Sequence, residues 1–286
     1  MRTTIGPTSD VDSLAATAPP SYWARREEIS SVAGGVDAPP RTIDYTDVEH
    51  EVWSTVARTL RPLWDRHAAA GVVAARDRLA LPADRVPQLA DVDATLRPIT
   101  GFGYRAVSGI VSAAEFFGAL EHRTFPSTQY LRWEGSPLYT PEPDVIHEVM
   151  GHGNCLACPE IAELHRLSGS VHGRLTEERS RQLIADVFWF TVEFGVVREG
   201  TETKAYGAGL LSSPGELGWF ADHADIRPID IVEMGTIGYD IHHYQPVLFE
   251  GRSLQHVVDV VGDFYATATD ESIAALLEGQ RAQVNG

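Results

Sequence analysis

The stretch from Tyr139 to Gly153, YTPEPDVIHEVMGHG, decides how this chain is read, because it sets two histidines five residues apart with a carboxylate between them. The spacing points to a metal site. Thr140 can cap a helix, Pro141 suits its first position, and Glu142 and Asp144 fall in the first turns, where acids favour the positive end of the helix dipole. The helix is expected to carry His147 and to end near Gly151, a residue free to leave it in a left-handed conformation. At about 100° per residue, an unbroken α-helix holds His147 and His152 roughly 140° apart, so one shared ion requires the chain to bend at Gly151. The rival is the HExxH helix of zinc peptidases, with histidines four apart and the glutamate as general base. HEVMGH has one residue too many for it.

A second oddity lies downstream. On a helix expected from Glu177 to about Gly195, with Thr176 as its cap, Leu183, Val187 and Phe190 make an apolar face, and VFWFTVEFGVV sets Glu193 among uncharged residues. A carboxylate buried without a partner costs several kcal/mol, so Glu193 faces solvent, pairs with an arginine such as Arg198, or meets a metal. With His147 and His152 it makes the two-histidine, one-carboxylate set of non-haem Fe(II) oxygenases, which leaves coordination positions open. Zinc peptidases use the same donor types at a different spacing. Trp189, four residues before Glu193, is expected on the same helix face, as an aromatic wall or as core.

Composition narrows the class. The chain has 40 Asp and Glu against 23 Lys and Arg, a net charge of −17 that disfavours nucleic acid or an anionic membrane as partner. The first residues, MRTTIGPTSD, hold no signal-peptide core, and no run nears the ~18 apolar residues of a spanning helix, so a cytoplasmic location is expected. Cys155 and Cys158, the only cysteines, rule out a disulfide framework. A thioredoxin-like C-x-x-C is one reading of them, and free thiols near the site are the preferred one.

Residues 1–40, rich in Ser, Thr, Ala, Pro and Gly, are expected to form a flexible arm with an amphipathic piece near Tyr22 to Ile29. Residues 41–286 are expected to form a single, mainly α domain with small β elements. Val48, Val52, Val56, Leu60 and Leu63 recur at helical steps, with Trp53 and Trp64 as core. Further helices are expected over Val86 to Leu96, over Ala113 to Glu121 behind the cap Ser112, over Ile161 to Leu167, from SSPGEL onward, and finally from Ser253 to about Tyr265. Gly101 to Ile110 reads as a loop leading to a strand, Thr128 to Trp133 as a short strand, and Ser168 to Gly173 as a loop. Lys204 to Leu211 reads as a strand or tight turn, and Pro228 to Phe249 as mixed short pieces.

The segments VPQLADVDATL, SGIVSAAEFFGAL, STQYLRW, YTPEPDVIHEVMGH, FWFTVEFGVV and KAYGAGLLSSPGEL, in this order, resemble the pterin-dependent aromatic amino acid hydroxylases over roughly Tyr45 to Tyr265. The resemblance implies Fe(II) held by His147, His152 and Glu193, with tetrahydropterin and O2 as co-reactants in ring hydroxylation of a free amino acid. It also implies that Phe116 stacks on the pterin, that Glu148 lies near the pterin ring, and that the backbone of Val107 to Ser112 meets its edge. Arg132 matches an arginine that grips the substrate carboxylate, Asp144 the acid that holds it, and Thr140 and Pro141 the pocket lining. Ser212 matches a serine that orients an iron-bound histidine, with Ser213 beside it. Tyr206 and Glu216 are weaker matches.

Trp189, with Phe194 as the opposite wall and the apolar Ile241 where tyrosine hydroxylases carry an acid, makes phenylalanine the first expected substrate. Tryptophan is the alternative within the family. Gly153 and Asn154 in place of Val-Pro, Phe188 in place of a tyrosine, Pro126 in place of a polar residue and Pro214 in place of an aromatic depart from the family pattern. They leave para and meta attack both open. Animal members carry a regulatory domain and a tetramerisation helix for which this chain has no room, so a monomer or weak dimer is expected. Two other readings stand beside the hydroxylase: a zinc hydrolase using Glu148 as base, and a pseudoenzyme that only binds an aromatic amino acid.

Overall fold

A computed structural model describes residues 18–31, 40–140, 142–241 and 243–284 of the chain. Helix α1 (Pro20–Ser31) precedes the long α2 (Asp47–His67), whose start is fixed by a capping box in which Thr46 and Glu49 satisfy each other's backbone donors. The helical repeat of α2 buries Val52, Trp53, Val56, Leu60 and Trp64. Both indole N–H groups find partners, Trp53 at Pro82 O and Trp64 at Leu211 O, each at 2.8 Å. Then come α3 (Ala70–Leu79), α4 (Leu89–Thr100), β1 (Gly103–Ala106), α5 (Ala113–Glu121) and β2 (Thr124–Ser127). Ser112 caps α5 as expected, accepting from Glu115 N. Strands β1 and β2 pair in parallel.

The second half begins with a π-helix over His147–Gly153 that runs on into α6 (Asn154–Leu156). It continues through α7 (Pro159–Arg174) and α8 (Glu178–Phe188), which passes into a second π-helix, Trp189–Glu193. Next are β3 (Val196–Glu199), β4 (Glu202–Ala205), α9 (Ala208–Ser212), α10 (Pro214–His223), β5 (Asp225–Pro228), α11 (Ile231–Ile237) and β6 (Val247–Gly251). The chain closes with α12 (Leu254–Val257), a π turn Val258–Gly262, α13 (Asp263–Thr267) and α14 (Asp270–Val284). Four strands form a sheet in the order β4-β3-β6-β5. Helices dominate and the strands are small, as the sequence implied.

Several boundaries differ, each for a physical reason. Helix α1 falls within the stretch expected to be a flexible arm, yet Ile29 is buried, Arg25 pairs with Glu49 and Arg26 with Glu142. Residues 1–17 and 32–39 of that arm lie outside the described residues. Thr128 to Trp133 is not a strand, because its backbone groups bond elsewhere: Tyr130 O accepts from Val145 N, Gln129 O from the Tyr45 hydroxyl, and Arg132 N donates to Asp144. The strand is the preceding Thr124–Ser127.

Ser168 to Gly173 lies inside α7. Gly169 there is a contact glycine, since a Cβ would come within 2.4 Å of Phe117 O and Glu121 N on α5. The backbone donors of Thr176 and Glu177 bond to the distant Asp270, so Thr176 caps nothing. Lys204 to Leu211 splits into the end of β4 and most of α9. The helical stretch begun at Ser253 is followed by α14, docked through Ile273 and Leu277, which the sequence reading missed.

Candidate functional site

The two histidines meet through a change of winding. Asp144, not Thr140, caps the first ligand-bearing helix, accepting from His147 N at 3.1 Å. Thr140 turns locally, its hydroxyl donating to Glu142 O at 2.7 Å. Pro141 lies outside the described residues. The helix does not stop at Gly151. Over His147–Gly153 it is π-wound, and an i→i+5 repeat stacks residues five apart. The rings of His147 and His152 therefore lie with centroids 4.9 Å apart, without the expected bend. Gly151 serves close approach instead, since a Cβ there would stand 2.6 Å from Ala208 O. The second π-helix works the same way: Phe194 N bonds back to Trp189 O at 2.9 Å.

Glu193 faces both imidazoles, with Oε1 2.9 Å from His152 Nε2 and Oε2 3.7 Å from His147 Nε2. Behind His147, Nδ1 lies 2.9 Å from Ser212 Oγ, and that hydroxyl donates its single hydrogen to Ala208 O at 2.9 Å. Ser212 can then only accept from His147, so Nδ1 carries the hydrogen and Nε2 presents a bare lone pair toward Glu193. Burial pushes His147 down to about 4 and His152 to about 3, away from the protonated forms. Burial also raises Glu193, with the histidines opposing it.

Donor atoms thus converge where burial disfavours the charged forms of imidazole and carboxyl alike, the arrangement a divalent cation stabilises. An oxygen of Glu148 also lies within 4.8 Å of a nitrogen of each histidine, so two carboxylates flank the pair. Ser212→Ala is expected to weaken Fe(II) binding about 10–100-fold, by freeing the tautomer and orientation of His147. An anaerobic Fe(II) titration measures it.

Arg132 and Asp144 form a buried, two-pronged pair, Nε to Oδ2 at 2.9 Å and Nη2 to Oδ1 at 2.8 Å. Burial opposes ionisation of Asp144, but the guanidinium and two backbone N–H groups outweigh it and hold the carboxyl below its usual range. One carboxylate thereby ties Arg132 to the start of the histidine helix. Arg132 and Thr140 line a small cavity with Tyr22, Trp23 and Arg26 of α1, a wall the sequence reading assigned to a free arm.

The aromatic side departs from expectation. Trp189 and Phe194 have ring centroids 4.6 Å apart, a direct contact that admits no ring between them. They form one wall, because the π turn puts residues five apart on the same side. Tyr239, unremarked in the sequence, stacks on Trp189 at 4.3 Å and 10°. Ile241, expected inside the pocket, is 60% exposed. Gln245 accepts from Trp189 Nε1 at 3.1 Å, and its own N–H donates to Glu216 at 2.7 Å.

Burial pushes Glu216 up to about 7. In the unfolded chain it ionises first, so the stability it contributes is full below about pH 4.5 and is lost as pH rises through 7. Glu216→Gln is expected to remove that loss, which amounts to about 2 kcal/mol between denaturant titrations at pH 5.5 and pH 8.

On the other side, Phe116 is half-buried and meets Phe117, Phe125 and Phe188 edge-on. Glu148 is 6% exposed, and burial together with Glu193 and Asp144 raises its pKa well above the usual range. The Val107 N–H is taken by Ser127 O, while Ser112 Oγ accepts from Glu115 N at the α5 cap and keeps its hydroxyl hydrogen for another partner. Ser213 caps α10. Tyr206 is fully buried. Cys155 and Cys158 are buried free thiols, raised by burial, Cys158 to about 12, which is contrary to a reactive C-x-x-C pair. His165, passed over in the sequence, stands 3.2 Å behind His152. Its signal was a histidine on the buried face of α7, in step with Ile161 and Ser168.

Two imidazoles and a carboxylate facing one another are the donor set of mononuclear non-haem iron oxygenases. The chain belongs to the biopterin-dependent aromatic amino acid hydroxylases, whose family model matches residues 3–274. It is accordingly a monooxygenase whose cofactors are iron and a tetrahydropterin. It is 46% identical over 266 residues to phenylalanine 3-hydroxylase of Streptomyces coeruleorubidus, covering 92% of this chain and 95% of that one. It is 35% identical to the phenylalanine-4-hydroxylase of Rattus norvegicus over 87% of this chain, but spans only 56% of the rat protein's length. The phenylalanine hydroxylase structure of Chromobacterium violaceum with bound oxidised Fe(III) superposes with a TM-score of 0.79 at 27% identity, covering 86% of this chain and 91% of that one. A second structure of that protein, with iron(III) and 7,8-dihydrobiopterin, gives 0.78 at 26% identity over the same shares. No helix among the described residues is long and apolar enough to cross a membrane.

Proposed function

We propose that this chain hydroxylates free L-phenylalanine at the meta carbon, with His147, His152 and Glu193 as the iron ligands. The observation that carries the ligand assignment is the convergence of Glu193 on the bare Nε2 atom of His147 and on Nε2 of His152, at 3.7 and 2.9 Å. The similarity to the Streptomyces 3-hydroxylase, at 46% against 35% for the rat 4-hydroxylase, favours meta over para attack.

Bound iron and tetrahydropterin together activate O2 and deliver one oxygen atom to the ring. The chain's own residues orient and enclose. Arg132, held by Asp144, offers its remaining N–H groups to the substrate carboxylate, with Thr140 lining the same cavity. The wall of Trp189, Phe194 and Tyr239 carries no charge, which suits an apolar ring better than a phenol. Phe116 offers a face to the pterin, and Glu148, whose carboxyl burial holds above its usual range, offers it a hydrogen-bonding group. Glu193 rather than Glu148 takes the metal in this assignment, because its oxygens oppose both Nε2 atoms.

The chain acts as a monomer or weak dimer in the cytoplasm; α14 packs on its own domain through Ile273 and Leu277, and both cysteines are unpaired. A tetramer mass by light scattering would contradict the first part. The test of substrate and ring position is a competition assay with Fe(II), tetrahydropterin, air and equal phenylalanine, tyrosine and tryptophan, its products resolved against ortho-, meta- and para-tyrosine. Meta-tyrosine should dominate. Para-tyrosine would overturn the ring position, and hydroxytryptophan the substrate.

A further inference from the structure

His165 lies on α7, fully buried, and the edges of Phe102, Phe125 and Phe188 surround its ring at centroid distances of 6.1, 6.2 and 5.7 Å. Its Nδ1 is 2.8 Å from the carbonyl oxygen of Ile161, one turn back on the same helix, and its Nε2 is 3.2 Å from Nδ1 of His152. A carbonyl oxygen can only accept, so the hydrogen of this imidazole sits on Nδ1. A second hydrogen, on Nε2, would put a full charge among phenylalanine rings, and His165 has no ion-pair partner among the described residues. Nε2 is therefore an acceptor, and the hydrogen between the two rings comes from His152.

We propose that His165 is a positioning residue for the iron site: it accepts the Nδ1 hydrogen of His152, fixing that ring's rotation and leaving His152 Nε2 as the bare metal-facing atom. Orientation is passed from the Ile161 carbonyl through one imidazole to another. The two iron-facing histidines are thus backed differently, His147 by the Ser212 hydroxyl at 2.9 Å and His152 by an imidazole at 3.2 Å. An imidazole nitrogen is the stronger acceptor, so His152 becomes the more electron-rich donor of the pair. The Ser212 contact was implied by the family resemblance; nothing in the sequence reading assigned a role to His165.

This inference rests on His152 being an iron ligand, and the experiment separates the two. Apo protein of the full chain is titrated anaerobically with Fe(II), and with Co(II), whose visible bands report donor geometry, for wild type, His165→Phe and His165→Gln. Glutamine can place its amide oxygen near the lost Nε2 and accept from His152, whereas phenylalanine only fills the space. His165→Phe should bind both metals about 10–100-fold more weakly with shifted Co(II) bands, and His165→Gln should recover most of the affinity. Wild-type affinity in His165→Phe, or a loss in His165→Gln as large as in His165→Phe, would overturn the inference. Failure of wild type to bind either metal would instead overturn the ligand assignment.

The imidazole 15N spectrum of the wild-type apo protein gives a second test that needs no variant. His165 should carry its hydrogen on Nδ1 and leave Nε2 bare, and a hydrogen on Nε2 of His165 would contradict the proposal.

Discussion

Glu193→Ala is expected to lose bound iron and to lower turnover by more than about 100-fold while the fold stands, since removing even a hydrogen-bond partner behind a ligand costs about 10–100-fold. The fold should survive because burial raises the Glu193 carboxyl in the apo chain. A carboxyl whose folded pKa is raised loses stability as pH rises above its unfolded value, so at pH 7 its removal relieves the apo chain. Iron content after anaerobic loading, with thermal melts of the apo proteins, measures both effects. Glu148→Gln is the control: it should keep iron and weaken the pterin instead. Iron retained in Glu193→Ala but lost in Glu148→Gln would move the third ligand to Glu148, whose oxygen also lies within 4.8 Å of both histidines.

Arg132→Lys should raise the KM for phenylalanine about 10–100-fold, the equivalent of one or two charge-assisted hydrogen bonds. Lysine keeps the charge but cannot meet both oxygens of Asp144 at 2.8 and 2.9 Å and still offer a planar N–H to a second carboxylate. Asp144 also caps the histidine helix through His147 N, so a modest fall in iron affinity should accompany the change. Lysine is a cleaner test than alanine, which would leave Asp144 buried without its counter-ion, at a cost of about 3–5 kcal/mol. An unchanged KM would remove Arg132 from the substrate site.

The chemistry was more legible in the sequence than the backbone that delivers it. Histidines five apart, a carboxylate in an apolar run and the family segments located the residues, because side-chain identity is written directly. The winding was not legible: α-helical geometry required a bend at Gly151, whereas the chain tightens nothing and widens its turn instead, at His147–Gly153 and again at Trp189–Glu193. The same widening sets Phe194 beside Trp189, where the family resemblance had implied an opposite wall.

Glycine was the other ambiguous sign. At Gly169 and Gly151 it marks contact between helices and not a break, and from local sequence the two meanings look alike. The Thr128 to Trp133 segment alternates like a strand, but its partners Tyr45, Asp144 and Val145 are brought to it by tertiary folding. Long-range partners of this kind also hid Tyr239, Gln245 and α1, whose contacts with the site depend on chain far away in sequence.

The most direct test of the account is stoichiometric: purified apo chain is titrated with Fe(II) under argon, then supplied with phenylalanine, tetrahydropterin and 18O2, and the product is weighed by mass spectrometry. Turnover should saturate at one iron per chain, with one 18O atom in each molecule of tyrosine isomer. Turnover that persists without iron, that zinc supports equally, or that yields unlabelled product would contradict it.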